Sequence, residues 1–229
     1  MGSSATAGPE QRMRLTRGRV LRAAIGLADA GGLEALTMCK LGDELEVEAM
    51  SVYHHVANKD DLLDGMIDAV FAEVELPPPS DNWKTAIRKR STSLRAALSR
   101  HPWATGLMVS GSRPSNFTLR HHDRVLGTLR NGGFSFTLAA HAFSVIDSYV
   151  YGFSMQDTRL PFESELGPAA MANTMLVELD ATEFPYLTEL IRDKGLRSGA
   201  EFHYALDLIL DALERDRERE LQDSGSIRV

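Results

Sequence analysis

The stretch from Thr37 to Lys59 constrains this chain more than any other. Leu41 and Leu45 stand one helical turn apart behind Thr37, a residue type that caps helix N-termini, so the spacing predicts a short helix over Met38 to Leu45. Gly42 keeps one face of that helix small. Glu46, Val47 and Glu48 make a turn, and a second helix from Ala49 to Val56 crosses the first with Val47 and Val52 as inward pegs. Asn58 then caps a third, longer helix whose first turn carries Asp60 and Asp61, where the helix dipole favours carboxylates. Two helices too short to be stable alone must be held by longer neighbours. Their crossing is the helix-turn-helix geometry, in which the second helix enters the major groove of DNA. It presents Ala49, Met50, Ser51, Tyr53, His54 and His55 outward. With Thr37, Lys40 and Lys59 they form the candidate DNA-contacting set. Tyr53 and Lys59 are assigned to phosphates; Ala49, Met50, Ser51 and His54 are assigned to base edges.

The flanking sequence is helical throughout, and the fold class is all-α. Residues 1–15 read as a disordered N-terminal arm. Thr16 to Ala30 form an amphipathic helix with Val20, Ala24, Leu27 and Ala28 on one face, stopped by Gly31-Gly32. The third helix runs from Lys59 to about Glu75 on Leu62, Leu63, Met66, Ile67, Val70, Phe71 and Val74. Pro77-Pro78-Pro79 ends it, because no helix continues through three prolines. A DNA-binding domain over 16–76, a helical domain over 80–215 and a charged tail over 216–229 follow from these breaks. In the second domain, helices are expected from Asp81 to His101, Trp103 to Val109, Phe117 to Asn131, Phe136 to Met155 and, briefly, Met171 to Glu178. Gly111 to Pro114 and Pro161 to Pro168 read as a turn and a loop. Ser135 caps the helix from Phe136, which is apolar on nearly every side and therefore expected to be buried all round. Ser198 to Glu201 have capping-box spacing and open a helix striped with Phe202, Leu206, Ile209, Leu210 and Leu213.

Several runs carry a resemblance: Leu36-Thr37-Met38-Cys39-Lys40-Leu41, Leu45-Glu46-Val47, Ser51-Val52-Tyr53-His54-His55-Val56 and Asn58-Lys59-Asp60-Asp61-Leu62-Leu63. Together they resemble the tetracycline-repressor (TetR) family of one-component transcriptional regulators over residues 17–75, with a weaker likeness through about 215. The resemblance implies a repressor that binds a palindromic operator in double-stranded DNA as a homodimer and is released by a small-molecule effector. It also implies that the dimer is a four-helix bundle built from the helices near 136–155 and 199–214. Two positions depart from the family pattern. Glu46 stands where the turn usually has glycine, and Cys39 where the tetracycline repressor has a base-reading arginine, so the operator should differ.

The formal net charge is −7, although phosphate neutralisation supplies most non-specific DNA affinity. Distribution resolves the conflict: Arg12, Arg14, Arg17, Arg19 and Arg22 gather positive charge ahead of the helix-turn-helix as a phosphate-contacting arm. Asp43, Glu44, Glu46 and Glu48 make the motif itself acidic, which predicts modest affinity per subunit and a strong need for dimerisation. No apolar run nears the roughly 20 residues that span a bilayer, and residues 1–11 lack a signal-peptide core. No membrane association and a cytoplasmic location are expected. The single cysteine excludes a disulfide framework and a cysteine-rich zinc site.

The effector is expected among the helices from Trp83 to Phe184. The candidate lining is Trp103, Met108, Phe117, His121, Phe143, Asp147, Tyr151, Met155 and Gln156, apolar with a few polar atoms. No cofactor and no metal site are expected. His121-His122-Asp123 is no chelate, since neighbours on a helix point about 100° apart. By the resemblance, the tetracycline repressor's magnesium-ligating histidine falls on Val109 and its metal-shell glutamate on Gln156, so the effector is not a magnesium-tetracycline chelate. An enzyme finds no support in any Ser-His-Asp, metal-ligand or phosphate-loop pattern. The alternative is a helical protein-interaction module with degenerate DNA binding, favoured by Glu46, Glu48 and Cys39.

Overall fold

A computed structural model describes residues 14–76, 78, 82–110, 114–159, 167–194 and 199–226. Most of the expected N-terminal arm with Arg12, Pro77 and Pro79, the turn at Gly111 to Arg113, the loop from Pro161 through residue 166, and the Ser198 cap lie outside those residues. All regular structure among the described residues is helical: α1 (Arg17–Ala35), α2 (Met38–Glu44), α3 (Ala49–Val52), α4 (Lys59–Ala72), α5 (Trp83–Arg100), α6 (Pro102–Val109), α7 (Asn116–Asn131), α8 (Phe136–Arg159), α9 (Gly167–Glu178), α10 (Pro185–Lys194) and α11 (Gly199–Ser226). By its internal contacts the chain forms two compact units, residues 1–69 and 70–229, so that division falls within α4.

In the first unit the cap at Thr16 accepts from the Arg19 amide, and Val20, Ala24 and Ala28 are buried along α1. Gly31 and Gly32 leave helical geometry, the latter at φ 72°, and break α1 where the sequence predicts its stop; a last turn to Ala35 follows. Leu36, Leu41, Leu45, Val52, Val56, Leu62 and Met66 close the core around α2 and α3. Each such apolar side chain contributes about 1.5–3 kcal/mol by leaving water, which is how two helices of seven and four residues persist. α4 ends at Ala72, earlier than the expected Glu75. The Glu73 and Val74 amides bond three residues back, to Val70 and Phe71, and tighten the last turn out of α-geometry.

The second unit is organised on α8, against which α5, α6, α7 and α11 pack. Trp83, Ile87, Leu94, Leu98, Val125, Leu129, Phe134, Ile146, Val150, Phe202, Leu206 and Leu210 are buried there. On this one chain Phe136 and Val145 of α8 are 75% and 48% exposed, on a helix expected to meet a second subunit as well as its own core. Two expectations change. The charged tail is helical, because α11 continues to Ser226, and it is mostly exposed, with Arg217 and Glu220 half-buried. Within it, Arg217 donates to the Gly132 carbonyl at 2.9 Å, and Glu220 accepts from the Ser135 hydroxyl at 3.0 Å at the start of α8. Charge along that stretch hides a packed face of long side chains. Finally, α10 was not anticipated. Its buried positions are Thr188 and Ile191, although Leu187, Leu190 and Ile191 recur at three and four residues.

Candidate nucleic-acid interface and effector site

The helix-turn-helix is built from the caps inward. Thr37 Oγ1 accepts from the Lys40 amide at 3.2 Å and starts α2. A Cβ on Gly42 would stand 2.8 Å from the Val47 carbonyl oxygen, so only glycine lets the chain double back here. Glu46 has φ 55°, the left-handed conformation that costs a non-glycine residue about 1 kcal/mol. Val52 is fully buried and Val47 half-buried, as expected of pegs. Regular helix stops at Val52 and not at Val56. The His54 and His55 amides bond three residues back, to Ser51 and Val52, so Tyr53, His54 and His55 occupy a tightened turn.

Of the predicted outward set, Met50 is 69% and Tyr53 43% exposed. His54, Thr37, Lys40 and Lys59 are exposed too, whereas Ala49, Ser51 and His55 are half-buried. Asn58 Oδ1 accepts from the Asp61 amide at 2.8 Å and fixes the start of α4 beside Lys59. Arg17, read from sequence as part of a phosphate-contacting arm, turns onto its own unit. Its guanidinium grips the Asp61 carboxylate at 2.7 and 2.9 Å. That pairing lowers the Asp61 pKa and raises that of Arg17. No sequence pattern flagged Arg17 and Asp61 as partners, since they are 44 residues apart.

In the second unit, Phe143, Asp147, Tyr151 and Met155 recur every four residues on α8 and share a face. Asp147 forms an ion pair with Arg90 of α5, whose side chain is 1% exposed. Arg90 Nε donates to His121 Nε2 of α7 at 3.3 Å. Burial, followed by the Arg90 charge, pushes His121 down to about 3. His121 is therefore a neutral acceptor at ordinary pH, with its proton on Nδ1. Burial also lowers His122, and it raises the Tyr151 hydroxyl with help from the Asp147 charge.

Aromatic rings wall this cluster: Phe71 lies 4.9 Å from His121, and Phe143 lies 5.2 Å from His122. Trp103 and Met108 sit on α6, the first buried and the second half-buried. Phe117 and Gln156 are exposed. Buried Ser91 Oγ, Thr105 Oγ1, Ser154 Oγ and His122 Nε2 find no hydrogen-bond partner among the described residues. Arg90, His122 and Phe71 are additions to the expected set. Arg90 was detectable, because it interrupts the apolar stripe between Ile87 and Leu94, where a buried cation requires an acid. No group of His, Cys, Asp or Glu among the described residues is arranged to hold a metal. None of the described helices is long and apolar enough to cross a membrane.

Comparison with known proteins gives two family matches. Residues 20–66 match the bacterial regulatory proteins of the tetR family, and residues 76–217 match the tetracyclin repressor-like C-terminal domain. An HTH-type transcriptional regulator of Saccharopolyspora erythraea is 34% identical over 164 residues, 69% of this chain and 70% of that protein. The HTH-type transcriptional repressor DrrR1 of Streptomyces coeruleorubidus is 31% identical over 211 residues, 87% of this chain and 77% of its own. Among solved structures, the Streptomyces coelicolor TetR family protein ActR in complex with actinorhodin aligns with a TM-score of 0.71 at 30% identity, covering 89% of this chain and 99% of that one.

Proposed function

Since this chain belongs to the tetR family of bacterial regulatory proteins, and is thus a ligand-responsive regulator of transcription acting as a dimer on operator DNA, we propose how its own residues perform that task. Met50, His54 and the edge of Ser51 read base edges with Ala49, while Tyr53, Lys59, Lys40 and Thr37 hold the phosphates. The observation that carries this reading is the exposure of Met50 and Tyr53 on a unit whose core closes without them. A largely apolar effector enters the second unit at the wall of Phe143, Tyr151, Met155, Trp103 and Met108. There Asp147, His121 and the orphaned hydroxyls offer it polar partners.

Effector binding releases the repressor. ActR, the relative solved with actinorhodin, supports a small-molecule effector for this chain as well. Val109 and Gln156 argue against a magnesium chelate, since neither supplies what a hard cation needs. The dimer uses the apolar surface that α8 and α11 leave exposed, including Val145, Tyr204 and Leu208. α4 begins in one compact unit and ends in the other, which makes it the element through which an effector biases the spacing of two recognition helices about 34 Å apart. The protein works in the cytoplasm without catalysis.

Binding-site selection from a random duplex pool tests the assignment. Lys59→Ala should weaken all sequences alike, and Met50→Ala should change the preferred sequence; the reverse pattern would overturn it. Retention of no DNA at low salt would favour the protein-interaction alternative.

A further inference from the structure

The four Nη hydrogens of Arg17 are all spoken for. Nη1 donates to the His55 carbonyl at 2.9 Å and to Asp61 Oδ2 at 2.9 Å. Nη2 donates to Asp61 Oδ1 at 2.7 Å and to the Asp61 carbonyl at 3.3 Å. Each Nη carries two hydrogens, so a phosphate could take one only by displacing a partner. The acceptors are informative. His55 closes the tightened turn after α3, where helix carbonyls are left without intrahelical donors. Asp61 Oδ2 also accepts from the Ala57 amide at 2.8 Å. One guanidinium thus ties α1, the end of the recognition helix and the first turn of α4 at a single point. Gly65 allows it: a Cβ there would stand 2.8 Å from Leu21 and 3.2 Å from Arg17 Nη2, so α4 lies against α1 at the clamp.

We infer that Arg17 is a positioning residue for sequence readout: its fork onto Asp61 and the His55 carbonyl fixes the corner that presents Tyr53 and His54, and it does not contact DNA. The inference rests on the proposed reading that this corner faces DNA. α3 has only four residues of regular helix, too few to hold its own direction. Base readout needs side chains placed to within about half an ångström, whereas non-specific affinity needs only charge near phosphates. Loosening the clamp therefore costs specificity and leaves non-specific binding intact.

The test uses the full-length dimer and two probes: the best duplex that wild-type protein selects from a random pool, and a scrambled duplex of the same composition. A wild-type protein that selects nothing overturns the DNA reading itself, and this is known before any variant is made. Arg17→Gln, Arg17→Lys and Asp61→Asn are then compared at equal distance below their own melting temperatures. Each should lose roughly five- to tenfold for the selected duplex, keep scrambled-duplex affinity within about twofold, and keep the wild-type salt slope. Asp61→Asn is decisive because it removes a negative charge, so simple electrostatics would tighten both duplexes. Arg17→Lys keeps the charge and loses the fork, which covers the case in which the other two fold poorly. Equal losses on both duplexes, with a salt slope shallower by about 0.9, would make Arg17 a phosphate contact. An unchanged ratio with only a lower melting temperature would make the clamp purely structural; either result overturns the inference.

Discussion

His121 makes the second unit sensitive to mild acid, and the size of the effect can be worked out. Its ring is 2% exposed and accepts from Arg90 Nε; burial and the Arg90 charge hold its pKa at about 3 against 6.5 for a free histidine. Above the unfolded value the ring is neutral in both states, and the folded state gives up nothing. Below it the unfolded chain takes a proton that the folded one refuses, so stability falls with pH until the folded pKa is reached. Between pH 7.5 and 5.0 the loss from this group is about 2 kcal/mol, from about 1.5 units at 1.36 kcal/mol each. His122, lowered in the same sense, adds to it. His121→Gln retains an oxygen that can accept from Arg90 but does not titrate. Urea unfolding at fixed dimer concentration, at both pH values, should show the variant losing about 2 kcal/mol less than wild type on acidification. Equal losses in the two proteins would refute the neutral, buried-acceptor account of His121.

The buried Arg90–Asp147 pair should behave asymmetrically. Asp147→Leu strands the guanidinium and should cost about 3–5 kcal/mol, while Arg90→Met with Asp147→Leu should cost far less; additive losses in the cycle would show that the two charges are not coupled. Glu46→Gly should raise stability by about 0.5–1 kcal/mol by relieving the positive φ, measurable as a higher melting temperature, and no gain would mean the turn relaxes in solution. Leu208→Glu, at a position 54% exposed on one chain, should give folded monomers in sedimentation. Leu206→Glu should instead unfold the subunit, because Leu206 is fully buried in its own core, and a folded Leu206→Glu monomer would contradict that distinction.

Local signals carried most of the helical architecture. Thr16, Thr37, Asn58, Ser115 and Ser135 all accept amide hydrogens at the starts of their helices, and each is a residue whose side chain competes well for a free N–H. The helix expected to end at Asn131 does so, followed by Gly132-Gly133 with Gly133 at φ 91°. What stayed out of reach was non-local. That Arg17 meets Asp61 depends on how α1 meets α4, and no window of sequence contains both. The same holds for α11, where the contacts of Arg217 with Gly132 and of Glu220 with Ser135 join positions 85 residues apart. Among the effector candidates, the common face of Phe143, Asp147, Tyr151 and Met155 was legible from their spacing, whereas the exposure of Phe117 and Gln156 was not.

The grip of Glu220 on Ser135 and of Arg217 on Gly132 has a consequence for synthesis. Every contact of the Arg17 clamp closes within the first 61 residues, whereas the start of α8 waits for residues some 85 positions later. At about 5–20 residues per second on the ribosome, roughly 150 residues separate completion of the first unit from arrival of Glu220, a delay of about 8–30 seconds. For that interval a nascent chain carries the residues of the first unit and a bundle that still lacks α11. If the proposed α8–α11 surface carries the dimer, such a chain would meet one half-site at a time, and regulation would begin only once α11 has been made.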